Sequence, residues 1–185
     1  ERNRYPLPAV ERLTRANRKI GLGVMGWADA LAALGVAYDS EEALALADRT
    51  MAAVSRAARQ ASQQLARERG PFPNYPESIH ARGSGFPIRN ATVTTVAPTG
   101  TLSILAGTSG GIVLDGAVLP ETHPEFARLA REGGFDCPEV WAHVKKTGGA
   151  RGCAAVPERI QRAFATAADI APSWHVRMQA AFQRH

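Results

Sequence analysis

A run of threonine, proline and glycine residues between Asn90 and Gly111 has the composition of a binding loop. Residues 91–96 are mostly β-branched and lie next to turn-forming residues, a pattern that predicts a short strand. Pro98 cannot donate a hydrogen bond to a sheet, and Gly100 allows backbone angles that strain other residues. The strand should therefore end in a sharp turn at this point.

Residues 102–106, directly after this turn, are suited to starting a helix with Thr99 or Thr101 as its N-cap. A strand that turns into a helix leaves backbone N–H groups and the two threonine hydroxyls directed at one point. The positive end of the helix dipole adds to these donors, so the corner is a candidate phosphate site. A plain structural corner with a threonine cap is the alternative interpretation. The loop is not a Walker A loop, because no lysine follows the glycine.

A second glycine-rich stretch, GLGVMG at residues 21–26, matches the dinucleotide-binding pattern G-x-G-x-x-G. That fingerprint requires a strand directly before it, whereas residues 15–19 are typical of a polar helical turn. The acidic residues about 20 positions further on (Glu41, Glu42 and Asp48) lie in a helical pattern. We therefore reject the dinucleotide-binding interpretation and expect the glycines to let a helix pack closely against a neighbour.

The histidines and cysteines form no pattern typical of catalysis or metal binding. The five histidines are scattered, and none lies four residues from another or has an acidic partner at a ligand spacing. Asp169 and His175 flank one turn, but their order alone does not define a hydrolase triad. Cys137 and Cys153 have no paired spacing, so we expect no zinc site, no disulfide and a reducing, cytoplasmic location.

The composition is that of a folded, soluble chain. Its 185 residues fit one domain or a large piece of one, and 45% of them are hydrophobic. The formal net charge is +5, but the basic residues are spread along helical stretches without interleaved aromatics, which argues against a nucleic-acid partner. We expect no membrane partner, because there is no signal peptide and no apolar run of about 18 residues. Both ends look cut.

Helical periodicity dominates the elements that must position the loop. One helix face is marked by Ile20, Val24, Trp27, Leu31 and Leu34. Gly35 should end this helix. Asp39 or Ser40 should cap a long helix ending at Gly70, with Glu42 completing a capping box if Asp39 is the cap. The apolar stripe of the long helix is mostly small, which predicts close packing, and consists of Leu44, Ala47, Met51, Val54, Ala58, Ala61 and Leu65.

The remaining chain is predicted to form loops and short helices. The first 13 residues should be an extended lead-in, because prolines favour an extended path. A loop spans Phe72 to Arg89, in which Arg82 or Arg89 is a candidate to assist the anion site. Short helices are predicted at residues 124–132, 138–146 and 157–168 and from Pro172 onward, the last with Val176 and Ala180 aligned.

Several of these stretches, in the same order, resemble the large chain of ribonucleotide reductases. The similar segments are NRKIGLGVMG (17–26), YDSEEA (38–43), ERGPFP (68–73), RNAT (89–92), APTGTLSI (97–104), TAADIAP (166–172) and HVRMQAAFQ (175–183). They are most similar to the adenosylcobalamin-dependent class, and together they cover most of the chain.

The resemblance implies an α/β fold, in which this chain is part of a ten-stranded α/β barrel and is itself mostly helical with few strands. In that family the ribose 2′-hydroxyl of a ribonucleotide is replaced with hydrogen at a radical site in the barrel. Adenosylcobalamin generates a thiyl radical on a barrel cysteine, and that radical removes the 3′ hydrogen of the substrate. A cysteine pair supplies the reducing electrons, and a Glu and an Asn assist.

The resemblance also implies a role for the threonine loop, which in the family holds the phosphates of the substrate. It assigns substrate binding to Pro98, Thr99, Gly100, Thr101 and Leu102. A fixed phosphate tail orients the ribose toward the radical, and good orientation can lower a barrier by several kcal/mol. The implied partners are the ribonucleotide substrate, nucleotide effectors and a thioredoxin-like reductant, and a homodimer is an allowed assembly.

Two features depart from the family pattern. The radical cysteine, its assisting residues and the redox cysteines belong to family segments outside this sequence, so we assign no catalytic residue and give Cys137 and Cys153 no such role. The family also has Glu-Pro and further residues between its Gly-Ile and the Leu-Asp-Gly seen at 114–116, whereas here Ile112 joins Val113 directly. Either residues are missing between these two positions or the protein has a deletion. Residues 1–185 are thus expected to be a fragment of the barrel domain.

The sequence leaves two alternatives open. One is the large chain of the iron-dependent class, which needs a radical-bearing partner subunit. The other is a catalytically silent domain that binds nucleotide or packs in an assembly. We expect the isolated 185 residues to form no deoxyribonucleotide, because they contain no catalytic cysteine.

Overall fold

The structure, a computed structural model, describes residues 3–83, 85–109 and 123–185. In these ranges the α-helices are α1 (Pro8–Asn17), α2 (Trp27–Leu34), α3 (Glu41–Arg69), α4 (Gly100–Ala106), α5 (Pro124–Gly133), α6 (Pro138–Thr147), α7 (Glu158–Ala163) and α8 (Pro172–Gln183). Short 3-10 helices lie at Tyr75–Glu77, Ile79–Arg82 and Ala167–Asp169. The predicted helical character is confirmed. None of these helices has the length and apolar character to span a membrane.

The described chain divides into two compact units. The first unit consists of Glu1–Gly23, Thr50–Val96 and His185. The second consists of Val24–Arg49 and Ala97–Arg184. Helix α3 therefore contributes its first residues to the second unit and the rest to the first.

Two extended segments pair in the first unit. They lie where the sequence predicted the start of a helix near Ile20 and a strand at residues 91–96. Ile20 N–H donates to Thr92 O (3.1 Å), Leu22 N–H to Val93 O (2.9 Å) and Thr95 N–H to Leu22 O (3.0 Å). Within the described residues this pairing amounts to one parallel bridge rather than a full strand at 91–96. The prediction of a helix beginning near Ile20 is wrong, because glycines weaken a helix and the 92–95 backbone offers partners.

The glycines of this stretch do allow close packing, although of an extended segment rather than a helix. A Cβ on Gly21 would lie 2.6 Å from Thr95 Cγ2, and one on Gly23 would lie 2.8 Å from the Thr95 carbonyl oxygen. Helix α1 ends at Asn17 just before the stretch, where a dinucleotide fingerprint would need a strand. The predicted extended lead-in is wrong, because Pro8 has the backbone angle that suits the first position of α1.

Helix α3 begins and ends with local signals that the sequence contains. Ser40 Oγ accepts a hydrogen bond from Ala43 N–H (3.1 Å), so Ser40 is the cap and the predicted alternative with Asp39 is wrong. Its buried face is small, as predicted, but is rotated from the predicted stripe and consists of Ala43, Ala47, Met51, Ser55, Ser62 and Ala66. At its end Gly70 has φ of 78°, and Arg89 Nη1 donates to Arg69 O (2.9 Å).

Replacing Ser40 with alanine is expected to lower the free energy of unfolding by about 1 kcal/mol, because the first turn of α3 loses its capping acceptor. The matched control is Asp39→Ala, which removes the neighbouring polar side chain but leaves the Ser40 cap in place. Chemical denaturation of the complete protein carrying each change measures the difference. Equal losses in the two variants would contradict the assignment of the cap to Ser40.

Aromatic packing forms the core of the second unit. The Phe126 ring makes edge-to-face contacts with the rings of Phe135, Trp141 and Phe164, at distances between ring centroids of 6.0, 5.8 and 5.3 Å. The buried cluster around them comprises Ala32, Ala130, Val140, Ala150, Cys153, Val156, Ile160 and Ala163. The predicted helices at 124–132 and 138–146 are confirmed as α5 and α6.

The last two predicted helices are only partly confirmed. Helix α7 ends at Ala163, earlier than predicted, because Thr166 and Asp169 form a capping box that starts a separate 3-10 helix. Helix α8 begins at Pro172 as predicted, but its buried face consists of Met178, Ala181 and Phe182. Val176, predicted to share an apolar face with Ala180, is 70% exposed.

Candidate functional site

The threonine loop leads into helix α4, and its unusual backbone angle lies at Thr99. Thr99 has φ of 51° and ψ of 24°, in the left-handed region, and it occupies the N-cap position of α4. Such a conformation costs a residue with a side chain about 1–2 kcal/mol. Gly100, the residue expected to supply the unusual angle, is instead the first residue of the helix. The prediction that Thr99 or Thr101 is the N-cap residue is confirmed for Thr99.

The first turn of α4 presents backbone donors beside the loop. The first backbone hydrogen bond of the helix runs from Ser103 N–H to Thr99 O (2.8 Å). The Thr99 side chain makes no capping hydrogen bond to the helix. The N–H groups of residues 100–102 therefore have the position in which helix N-termini bind anions.

The predicted loop residues lie at the surface of their unit. Pro98, Gly100 and Thr101 are exposed, Thr99 is half-buried, and Leu102 is 59% exposed. The Thr101 side chain is thus not turned into a core. This exposure leaves room for a ligand at the corner.

Asp29, which the sequence did not single out, joins the end of this region to two other elements. One carboxylate oxygen, Oδ2, accepts hydrogen bonds from Ser109 N–H (2.7 Å) and from the Thr108 hydroxyl. The other, Oδ1, lies 2.7 Å from His123 Nε2. Asp29 is in the first turn of α2, where a negative charge also interacts favourably with the helix dipole.

The electrostatics of the cluster favour an ionised carboxylate. Burial acts to raise the pKa of Asp29, but hydrogen bonds from Thr108, His123 and Ser109 outweigh it and hold the pKa below its ordinary value. His123 Nδ1 accepts from Glu125 N–H (3.2 Å), so a neutral His123 carries its proton on Nε2 and donates to Asp29. The imidazole of His123 thereby caps α5 through Nδ1 and contacts Asp29 through Nε2.

Gly26, the last glycine of the GLGVMG stretch, lets the backbone approach this cluster. Its φ is 74°, and an added Cβ would overlap the Thr108 hydroxyl oxygen. Its N–H donates to Ser109 O (3.0 Å). The contact between Gly26 and Thr108 could not be predicted from a sequence pattern, because the two residues are far apart in the chain.

The other residues considered from the sequence have local structural partners. His80 Nε2 lies 3.0 Å from Ala91 O, and His143 Nε2 lies 2.9 Å from Arg151 O. Asp169 accepts from Thr166, and Cys137 and Cys153 are not in a disulfide. Within residues 3–83, 85–109 and 123–185, no group of three His, Cys, Asp or Glu side chains could hold a metal ion. The Ile112–Val113 junction lies outside the described residues.

Comparison with known proteins places the whole chain in one family. It matches the ribonucleotide reductase barrel domain over residues 1–185. It is 51% identical over 193 aligned residues to a vitamin B12-dependent ribonucleoside-diphosphate reductase of Mycobacterium tuberculosis (strain CDC 1551 / Oshkosh), covering 99% of this chain and 28% of the relative. It is 41% identical to a relative of the same name from Thermoplasma acidophilum, covering 99% of this chain and 25% of the relative.

The fold has a solved counterpart as well. The class Id ribonucleotide reductase alpha subunit of Actinobacillus ureae matches with a TM-score of 0.84 at 24% identity, over 97% of this chain and 34% of that chain. This likeness shows the fold alone. The chain belongs to the ribonucleotide reductase barrel-domain family, and it spans about a quarter of the length of the curated relatives it matches.

Proposed function

We propose that the complete protein is an adenosylcobalamin-dependent ribonucleotide reductase that converts ribonucleotides to 2′-deoxyribonucleotides. We further propose that residues 98–102 hold the substrate phosphates. The observation that carries the second proposal is the exposed corner at Thr99, where a left-handed residue precedes the N-terminus of α4. The similarity over the whole chain to relatives named as such reductases supports the first.

The choice of cofactor class rests on the relatives. Those named vitamin B12-dependent are 51% and 41% identical over 99% of this chain. A relative named only as a reductase subunit alpha, from Treponema pallidum, is 34% identical over 58% of this chain. The greater similarity favours the cobalamin-dependent enzyme over the iron-dependent large chain.

The loop would act by positioning the substrate rather than by proton or electron transfer. Backbone N–H groups of residues 100–102 and the threonine hydroxyls donate hydrogen bonds to phosphate oxygens, and such charge-assisted bonds are stronger than neutral ones. The dipole of α4 favours the same negative charge. With its phosphates held, the ribose is limited to one orientation toward the reacting groups. We propose no catalytic residue in this stretch.

The described residues give no reason to assign cobalamin to them. His80, His123, His143 and His175 each use Nε2 in a contact within the chain. We therefore derive no step of the reaction from a contact between the cofactor and this stretch. Cobalamin supplies the radical in this proposal, and the residues here supply substrate binding.

The extended pair at residues 20–22 and 92–95 is the part of this stretch that would join a larger barrel. Its edges have no further strand among the described residues, and in the proposed ten-stranded α/β barrel the rest of the complete protein supplies the neighbours. The aligned spans of 193 and 194 residues exceed the 185 residues of the chain, which supports a gap in this chain relative to its relatives. We propose the Ile112–Val113 junction as its place.

The remaining partners are part of the same proposal. Nucleotide effectors, a thioredoxin-like reductant, a homodimer and a cytoplasmic location follow from a reductase of this class.

The complete protein is expected to form deoxyribonucleotide when adenosylcobalamin and a dithiol reductant are added and no second subunit is present. Product analysis by chromatography, with and without the cobalamin, measures this. The isolated 185 residues serve as the control and should give no product under the same conditions. Turnover that requires a second, radical-bearing subunit and does not depend on added cobalamin would contradict the proposal.

A further inference from the structure

Helix α4, whose first three residues belong to the proposed phosphate loop, has little apolar packing within the described chain. Ser103 is the one buried residue of the helix. Its apolar side chains Leu102, Ile104 and Leu105 are 59%, 72% and 80% exposed. Among the described residues, buried apolar contacts therefore do little to fix this helix, and its position depends on other restraints.

The segment directly after α4 is held by polar contacts. The helix ends at Ala106, and Thr108 and Ser109 follow within three residues. Asp29 accepts from the Thr108 hydroxyl and from Ser109 N–H (2.7 Å), while Gly26 N–H donates to Ser109 O (3.0 Å). The start of α2 thus contacts this segment through a carboxylate and through the backbone.

We infer that Asp29 is a positioning residue for substrate binding, which holds Thr108 and Ser109 and thereby sets the place of α4 and of the phosphate loop at its N-terminus. Asp29 itself does not contact the substrate. The inference rests on the proposed function, because it assumes that residues 98–102 bind the phosphates.

The chemistry of the contacts explains why the residue is an aspartate. An ionised carboxylate accepts several hydrogen bonds at once, and hydrogen bonds to a charged acceptor are stronger than those to a neutral one. An asparagine with its oxygen in the place of Oδ2 would keep a neutral, weaker acceptor for Thr108 and Ser109, but it would present an N–H₂ group to Nε2–H of His123 in the place of Oδ1. The third contact, with His123, holds the carboxylate in the orientation that serves Thr108 and Ser109.

The sharpest test compares Thr108→Val with Thr108→Ser in the complete protein. Valine removes the hydroxyl at nearly constant shape, whereas serine keeps it. We expect Thr108→Val to raise the KM for ribonucleotide about tenfold with a smaller change in kcat, and Thr108→Ser to stay near the wild-type KM. Thermal unfolding of both variants checks that the protein remains folded.

Asp29→Asn provides the second test, with a coupling measurement. It should raise KM, and the Asp29→Asn/Thr101→Ala double variant should raise KM by less than the product of the two single effects, because both act on one loop. Glu42→Ala is the matched control, since Glu42, like Asp29, is a carboxylate in the first turn of a helix, although Glu42 is exposed and Asp29 is half-buried. It should leave KM unchanged.

The outcomes separate this inference from the proposed function. If Thr101→Ala raises KM while Thr108→Val and Asp29→Asn leave it unchanged, the role of Asp29 is wrong and the phosphate site stands. Multiplying effects in the double variant likewise overturn the role of Asp29, because they show independent action. An unchanged KM in Thr101→Ala contradicts the phosphate site itself and this inference with it.

Discussion

Replacing Thr101 with alanine in the complete protein is expected to raise the KM for ribonucleotide by about ten- to a hundredfold. The exposed Thr101 hydroxyl lies in the first turn of α4, where it can donate to a phosphate oxygen beside the backbone N–H groups. Loss of a hydrogen bond to a charged group costs roughly 1.5–3 kcal/mol, which gives this factor. Thr99→Ala should have an effect of the same kind. Steady-state kinetics at varied substrate concentration measure both.

Two controls make this prediction specific to the hydroxyl. Thr101→Ser keeps the donor and should keep most of the affinity. Thr147→Ala removes an exposed threonine hydroxyl at the end of α6, distant in sequence from the loop, and should have no effect on KM. Wild-type KM and kcat in both Thr99→Ala and Thr101→Ala would contradict the phosphate role of the loop.

Replacing Gly23 with alanine is expected to lower the free energy of unfolding by about 1–3 kcal/mol. The new Cβ would lie 2.8 Å from the Thr95 carbonyl oxygen, which belongs to the backbone and cannot rotate away. The extended pair between residues 20–22 and 92–95 must then separate or shift. Denaturant unfolding of the complete protein measures the loss.

Gly83→Ala is the matched control for this change. No heavy atom lies within 4 Å of a Cβ built at Gly83, and its φ of −93° suits any residue. The variant should unfold at nearly the wild-type denaturant concentration. A loss of nucleotide affinity in a stably folded Gly23→Ala variant would instead revive the dinucleotide-binding interpretation of the glycine stretch.

Local signals in the sequence predicted helix ends well. Gly35 and Gly70 end α2 and α3 with positive φ, as their positions indicated, and Pro124, Pro138 and Pro172 begin α5, α6 and α8. These signals succeed because they depend on the backbone angles of single residues. Thr99 was one of the two predicted N-cap positions, but the left-handed angle was expected at Gly100 and lies at Thr99 instead.

Periodicity failed where distant segments decided the structure. The spacing of apolar residues from Ile20 to Leu34 suggested one helix, but the first half pairs with residues 92–95 and only the second half is helical. Ile20 and Leu22 are about half exposed, at 52% and 51%, so their spacing did not mark a buried helix face. A single sequence cannot show which distant backbone will offer hydrogen bonds.

The contacts of Asp29 could not be predicted for a related reason. The residue lies in an amphipathic helical pattern, where a carboxylate in the first turn needs no explanation beyond the helix dipole. Its partners Thr108, Ser109 and His123 are about 80 to 94 positions further along the chain. Only the folded arrangement of α2, α4 and α5 brings these groups together.

An experimental structure of the complete protein with a bound ribonucleoside diphosphate tests the phosphate loop most directly. Phosphate oxygens are expected at about 3 Å from the N–H groups of residues 100–102 and from a threonine hydroxyl of the loop. A substrate bound with its phosphates on other residues, and no anion at the N-terminus of α4, would contradict this expectation.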